Sequence, residues 1–162
     1  MGMEIGDASR DLLVERQLCF LLHRNTARFV GRWDRFLRSY NLTFAEYTVL
    51  LAVLERSPVS ETALAVRLQF DPYTLEDALS GLERNRLVSR GDDHGLVGHR
   101  VVQVTRKGVD MRPEIEDIRS RFICRLGLPP QDAELLKDQL EKLSDALAAL
   151  DLDDADHAMQ PL

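Results

Sequence analysis

Residues 60–90 read SETALAVRLQFDPYTLEDALSGLERNRLVSR, and this stretch decides the fold of the chain. Ser60 is a good N-cap for a short helix whose apolar positions are 63, 64 and 68. Asp71 and Pro72 open the next helix, because Asp caps well and Pro suits the first helical position. That helix is apolar at positions 75, 78, 79 and 82. The stretch therefore predicts two short helices joined by a turn of three or four residues.

A β-hairpin is predicted directly after the second of these helices. Two β-prone runs, 87–90 and 100–105, flank the Gly- and Asp-rich loop GDDHG at 91–95. A hairpin in this place is a wing. The fold class predicted is mainly α with a small β-wing (α+β), that is, a winged helix-turn-helix over residues 43–106.

A long helix and a shorter one precede this unit. Thr43 and Glu46 form a T-x-x-E capping box that starts the shorter helix, which ends near Glu55. The long helix, from about residue 10 to 40, has apolar residues at positions 19, 22, 26, 29, 33, 36 and 40, which form one stripe. Its opposite side carries five arginines: Arg24, Arg28, Arg32, Arg35 and Arg38.

Two further helices follow the hairpin, at 106–125 and 131–150, and the last has a leucine stripe. The terminal helices carry more apolar surface than one small winged domain can cover, so a two-fold homodimer is predicted. A monomeric helical bundle is the alternative. The predicted organisation is a tail at 1–8, a dimerisation helix at 9–42, the winged unit at 43–106, dimerisation helices at 107–150 and a flexible acidic tail at 151–162.

Composition narrows the function classes. The chain has 162 residues, 21 basic against 27 acidic, and a net charge of −6, so it is not a basic nucleic-acid binder overall. No signal peptide or membrane-spanning run is visible, which predicts a cytoplasmic protein with reduced thiols. No phosphate loop, nucleophile elbow or metal-ligand set is present, so neither an enzyme nor a cofactor is expected.

Several motifs together resemble the MarR family of winged helix-turn-helix regulators. They are RQLCFLLH at 16–23, LTFAEYTVLLAVLE at 42–55, S-x-x-x-L-A-x-x-L at 60–68, DPYTL at 71–75, LERNRLVSR at 82–90, and V-T-x-x-G at Val104, Thr105 and Gly108. The run from Gln17 to Phe20 is similar to the organic-hydroperoxide-sensing branch. The resemblance implies a transcriptional repressor that binds a pseudo-palindromic operator in double-stranded DNA as a homodimer, with recognition helices in successive major grooves and wings over the minor groove.

The resemblance and the charges together give a set of candidate DNA-binding residues. They are Ser60, Arg67, Pro72, Tyr73, Thr74, Asp77, Arg84, Arg90, His94, His99 and Arg100. The recognition helix departs from the family at Glu76, Asp77, Ser80 and Gly81, and the wing at Leu96 and Gly98. An acidic group in a DNA groove meets phosphate repulsion unless it accepts from a cytosine amino group. A member that acts through a partner protein is therefore an alternative.

Such a regulator has two alternative candidate mechanisms for releasing DNA. In the peroxide-sensing relatives the cysteine matching Cys19 is oxidised and then forms a disulfide, and Cys124 falls near the second cysteine of one subgroup. His23, one turn after Cys19, favours the thiolate. Tyrosines that hold the thiolate in those relatives are replaced here by Trp33 and Phe44. The other switch is a small aromatic effector, in a pocket lined by Trp33, Phe44 and Tyr47.

Overall fold

The computed structural model describes residues 13–92 and 100–158, with side chains as far as residue 150. The chain divides into two compact units, Met1–Arg119 and Ser120–Leu162. Among the described residues, the first unit contains five α-helices, about half of a sixth and the sheet, and the second contains the rest of the sixth helix and a long seventh. In the described part of the chain, no helix is long and apolar enough to cross a membrane.

The first two helices meet at a sharp, capped junction. Helix α1 (Leu18–Leu37) follows a single 3-10 turn at Val14–Arg16, and a second 3-10 turn, Arg38–Tyr40, continues it. It ends at Asn41, whose φ of 55° is left-handed. Helix α2 (Phe44–Glu55) then begins with the predicted capping box. The Glu46 N–H donates to the Thr43 hydroxyl at 3.1 Å, and the Thr43 N–H donates to the Glu46 carboxylate at 2.7 Å.

The predicted helix-turn-helix is confirmed. Helix α3 (Glu61–Leu68) is capped by Ser60, whose hydroxyl accepts from the Ala63 N–H at 3.1 Å. Helix α4 (Pro72–Arg84) is capped by Asp71 and has Pro72 in its first turn. The turn between them contains Gln69 with a φ of 51°. A left-handed residue reverses the chain after α3 and directs α4 across it.

A small antiparallel sheet of three strands, ordered β1–β3–β2, carries the hairpin. Strand β2 (Val88–Asp92) pairs with β3 (Arg100–Val104), and the register places Val88 opposite Val104 and Asp92 opposite Arg100. Strand β1 (Val59–Ser60) adds to the other edge of β3 and was not predicted, because two residues are too few to show an alternating pattern. The predicted wing loop, including positions 93–99, lies outside the described residues.

The helix predicted at 106–125 is two helices, α5 (Arg106–Asp110) and α6 (Arg112–Leu126). Pro113 explains the break, because proline has no N–H to donate to the carbonyl four residues earlier and suits a first helical turn. Gly127, with a φ of 67°, follows α6. Helix α7 (Pro130–Ala158) continues beyond position 150, where the sequence predicted the end of the last helix.

The core of the first unit is mostly aliphatic, as the low aromatic content of 6% predicts. Leu50 and Val53 of α2, Leu79 and Leu82 of α4 and Val102 of β3 each have 1% or less of their surface exposed. The packing of α2 against α4 and β3 holds the recognition helix and the base of the wing on one support. The orientation of the DNA-facing elements therefore depends on this core.

Candidate nucleic-acid interface and sensor residues

The first turn of α4 is presented to solvent and held by its cap. The Thr74 N–H donates to one Asp71 oxygen at 3.0 Å, and the Thr74 hydroxyl donates to the other at 2.5 Å. These bonds from Thr74 lower the pKa of Asp71 below its ordinary value. Tyr73, next to Thr74, is 81% exposed. An exposed aromatic hydroxyl in the first turn of a helix suits contact with bases and phosphates.

Arg90 of β2, a candidate phosphate contact, lies among three carboxylates. Both terminal nitrogens of its guanidinium donate to Glu76 of α4, at 2.9 and 3.0 Å, and one also reaches the second Glu76 oxygen at 3.1 Å. Its Nε lies 3.2 Å from Glu61 of α3 and 4.0 Å from Glu83 of α4. Only 5% of the Arg90 side chain is exposed. In this structure Arg90 joins strand β2 to both helices of the helix-turn-helix, and its contact with phosphate stays a prediction.

This cluster also explains two acidic residues of the recognition helix that sequence reasoning left without a role. Glu76 and Glu83 are seven residues apart, so they lie on one face of α4, two turns from each other. Both face the Arg90 guanidinium. No local pattern in the sequence predicts this contact, because Arg90 is 14 residues from Glu76 and seven from Glu83.

Gly81 is likewise explained by packing. A Cβ at this position would overlap the carboxylate of Glu46, the acidic member of the α2 capping box. Gly81 is buried, so this departure from the family pattern concerns the approach of α4 to α2. Glycine at this point permits the close contact.

The other candidate DNA-binding residues differ in their exposure and in whether they already contact another residue of the chain. Arg67 ion-pairs with Glu55, and Arg100, half-exposed, lies 3.6 Å from the Glu61 carboxylate. Asp77 and Arg84 are exposed on α4, whereas the Ser60 hydroxyl is used as the cap of α3. His94 and His99, with Leu96 and Gly98, lie outside the described residues.

The sensor candidates lie on α1 and α6. Cys19 is the second residue of α1, and its thiol is free and exposed. His23 is exposed one turn further along, and both lie in the described part of the chain, where no hydrogen bond joins their side chains. Cys124 of α6 is also a free, exposed thiol.

The three aromatic residues predicted to line a pocket lie at the junction of α1 and α2. Trp33 and Tyr47 stack with ring centroids 5.0 Å apart and an interplanar angle of 28°, and each is 5% exposed. Burial raises the pKa of the Tyr47 hydroxyl, and the charge of Arg119 partly opposes this shift. Phe44 is half-buried and donates its backbone N–H to Asp34 at 2.6 Å. In this structure Trp33 and Tyr47 therefore pack against each other as core residues.

The capped pair α3–α4, followed by the hairpin β2–β3, defines a winged helix-turn-helix protein. No family model matches the chain. Two curated relatives are similar along most of its length. SarZ of Staphylococcus saprophyticus is 26% identical over 132 residues, 82% of this chain and 90% of SarZ. The organic hydroperoxide resistance transcriptional regulator of Bacillus subtilis is 26% identical over 137 residues, 85% of this chain and 91% of the regulator.

Solved structures agree on the fold. A MarR-family transcriptional regulator from Rhodococcus sp. RHA1 superposes with a TM-score of 0.73 at 21% identity, covering 82% of this chain and 95% of that one. Reduced AbfR bound to DNA superposes with a TM-score of 0.68 at 20% identity, covering 87% of this chain and 99% of that one. CouR from Rhodococcus jostii RHA1 bound to p-coumaroyl-CoA superposes with a TM-score of 0.69 at 21% identity, covering 82% of this chain and 94% of that one. The chain therefore has the winged helix-turn-helix fold of these solved structures, and its sequence is similar along most of its length to curated transcriptional regulators.

Proposed function

We propose that this chain is a transcriptional regulator of the MarR family, a homodimeric repressor that binds a pseudo-palindromic operator and is released when Cys19 is oxidised by an organic hydroperoxide. The observation that carries the DNA-binding part is the capped first turn of α4, with Tyr73 81% exposed. The operator is double-stranded DNA in the cytoplasm, read by two recognition helices one helical turn apart.

The leucines of α7 support the homodimer. Leu136, Leu140, Leu147 and Leu150 recur at spacings of four, seven and three, which places them on one face of the helix. They are 47% to 58% exposed in the single chain. Such a stripe left in water costs about 25 cal/mol for each Å² of apolar surface. A second copy of the chain would cover it by two-fold symmetry.

The exposed thiol of Cys19 supports the oxidative switch. The Cys19 thiolate attacks one oxygen of the hydroperoxide, the O–O bond breaks, and the sulfur becomes a sulfenic acid while an alcohol leaves with a proton. A second thiol can then attack that sulfur and expel water, which forms a disulfide. The chain has two cysteines, so Cys124 is the resolving thiol that its own sequence offers. The hydroperoxide resistance regulator of Bacillus subtilis, by its name, is a relative with a corresponding role.

The experiment is titration of the reduced protein on the DNA upstream of its own gene, before and after one equivalent of an organic hydroperoxide per thiol. Wild type should bind and then be released. Cys19→Ser should bind and remain bound after peroxide. Cys124→Ser is the matched control, which should still be oxidised to a sulfenic acid at Cys19 but form no disulfide. Unchanged release in Cys19→Ser would show that the switch is not at this thiol.

A small aromatic effector is the second candidate, because CouR, a structural neighbour, binds p-coumaroyl-CoA. In this chain such a ligand would have to open the stack of Trp33 on Tyr47. Trp33 is the single tryptophan of the chain, so its fluorescence reports directly on that opening. A saturable change with p-coumaroyl-CoA that accompanies DNA release would favour the effector over the thiol. Action through a partner protein is less supported, because the acidic side chains of the recognition helix, Glu76 and Glu83, already form ion pairs with Arg90.

A further inference from the structure

We propose that α1 carries a second DNA-binding surface, separate from the recognition helix and the wing, that contacts the phosphate backbone without reading sequence. We call it the arginine face. It consists of five residues: Arg24, Arg28, Arg32, Arg35 and Arg38. This inference goes beyond the proposed repressor and its thiol switch.

The helical geometry places these arginines in one row. Their spacings of four, four, three and three residues confine them to about a third of the helix circumference. At 1.5 Å per residue the row is about 21 Å long. Trp33 and Leu37 lie on the opposite side, 5% and 0% exposed, and pack into the core. The arginine face is therefore the outward side of α1.

Carboxylates do not neutralise the guanidinium groups of this row. Arg28, Arg32, Arg35 and Arg38 are exposed, and none of the five forms an ion pair with any residue that the structure describes. The one acidic residue between positions 18 and 40 is Asp34, which accepts a hydrogen bond from the Phe44 N–H.

Arg24 is held differently from the other four. Its guanidinium carbon lies 5.2 Å from the centre of the Phe20 ring, and its Nε is buried without a hydrogen-bond partner. The ring fixes the side chain at one end of the row.

Three arginines of the winged unit are arranged differently. Arg67, Arg90 and Arg100 all lie beside carboxylates. A chain of net charge −6 needs unpaired cations to attract a phosphate backbone, and α1 provides them.

The shape of the row favours duplex DNA over an acidic protein segment. One strand of a duplex presents a phosphate about every 3.4 Å along the axis, so a straight row of about 21 Å spans about six of them. Gly31 lies among the arginines, and no atom comes within 4 Å of where its Cβ would be, so a broad backbone can approach the helix closely. Contacts to phosphates carry no sequence information directly, so this face is indifferent to sequence.

The test compares two triple variants on a random-sequence duplex of about 60 bp. Arg28, Arg32 and Arg35 are replaced by Gln in one, and Arg106, Lys137 and Lys142 by Gln in the matched control, which removes the same charge from other exposed positions. The plot of log affinity against log salt concentration should become less steep by about 0.9 for each phosphate that the variant no longer binds, hence by about 3 for each bound protomer. The control should keep the wild-type slope within about 1.

Equal slopes in the two triple variants would overturn the proposal. So would unchanged DNA binding accompanied by lost binding to poly-glutamate, because the arginine face would then recognise carboxylates. Thermal unfolding should be the same in both variants, since the replaced side chains are exposed. A failure of the proposed repressor is distinguishable, because it would show as absent operator specificity while the salt-dependent binding of wild type to the random duplex persists.

Discussion

Replacing Arg90 by methionine tests whether this residue joins the wing to the helix-turn-helix or contacts DNA. Methionine keeps the length of the side chain and removes the charge and the hydrogen-bond donors. Glu61, Glu76 and Glu83 would then face one another without the guanidinium that now lies between them.

The expected cost follows from how much of each partner is in water. Removing one partner of a fully buried pair costs about 3 to 5 kcal/mol, whereas exposed pairs are worth about 0 to 1 kcal/mol. The Arg90 side chain is 5% exposed, but Glu61, Glu76 and Glu83 are 21%, 56% and 48% exposed. We therefore expect Arg90→Met to lower the free energy of unfolding by about 2 kcal/mol, between those two limits.

The assay is urea unfolding, with Arg67→Met as the matched control. Arg67 forms an exposed pair with Glu55, so its replacement should cost less than about 1 kcal/mol. Adding Glu76→Gln to Arg90→Met should recover part of the loss, because one unpaired carboxylate is removed. Arg90→Met should also weaken operator binding while leaving its salt dependence unchanged. The reasoning is refuted if the variant keeps wild-type stability and instead loses about one unit of salt slope, since Arg90 would then be a phosphate contact.

Three further predictions follow from the described contacts. Gly108→Ala should lower the free energy of unfolding by about 1 to 3 kcal/mol in urea, because a Cβ there overlaps the Leu87 carbonyl and lies 2.7 Å from Val104 Cγ2; Gly31→Ala, with open space around it, is the control and should be stable. Asp71→Ala should lower the melting temperature at pH 7. Because folding lowers the pKa of Asp71, its carboxylate stabilises the fold fully above the unfolded pKa of about 3.9 and loses this effect as pH falls through the folded pKa. The difference in melting temperature between variant and wild type should therefore narrow below about pH 4, and a constant difference would contradict this. Leu140→Lys with Leu147→Lys should convert a dimer to monomers in size-exclusion chromatography with light scattering, and a dimer that persists at micromolar concentration would show that the α7 stripe is not its interface.

Local sequence signals predicted the elements of the winged unit well. Thr43 with Glu46, Ser60, and Asp71 with Pro72 each cap or open a helix, as expected, because a cap depends on groups within three residues of one another. Part of the V-T-x-x-G motif also depends on a contact within three residues, because the Thr105 hydroxyl accepts from the Gly108 N–H at 3.1 Å. Where a local signal was overlooked, as at Pro113, the helix boundary was wrong.

Neighbouring residues and helical or strand periodicity are enough to predict the order of helices and strands, their apolar faces and the side chains available for chemistry. The contacts that those side chains make depend on how the elements pack in three dimensions. Arg90 and Glu76 are 14 residues apart, and Trp33 and Tyr47 are also 14 apart, so no periodicity reveals that the first pair forms an ion pair and the second a buried stack. Their contacts exist because the α2–α4 core brings separate elements together, and burial then determines which charges remain free for DNA.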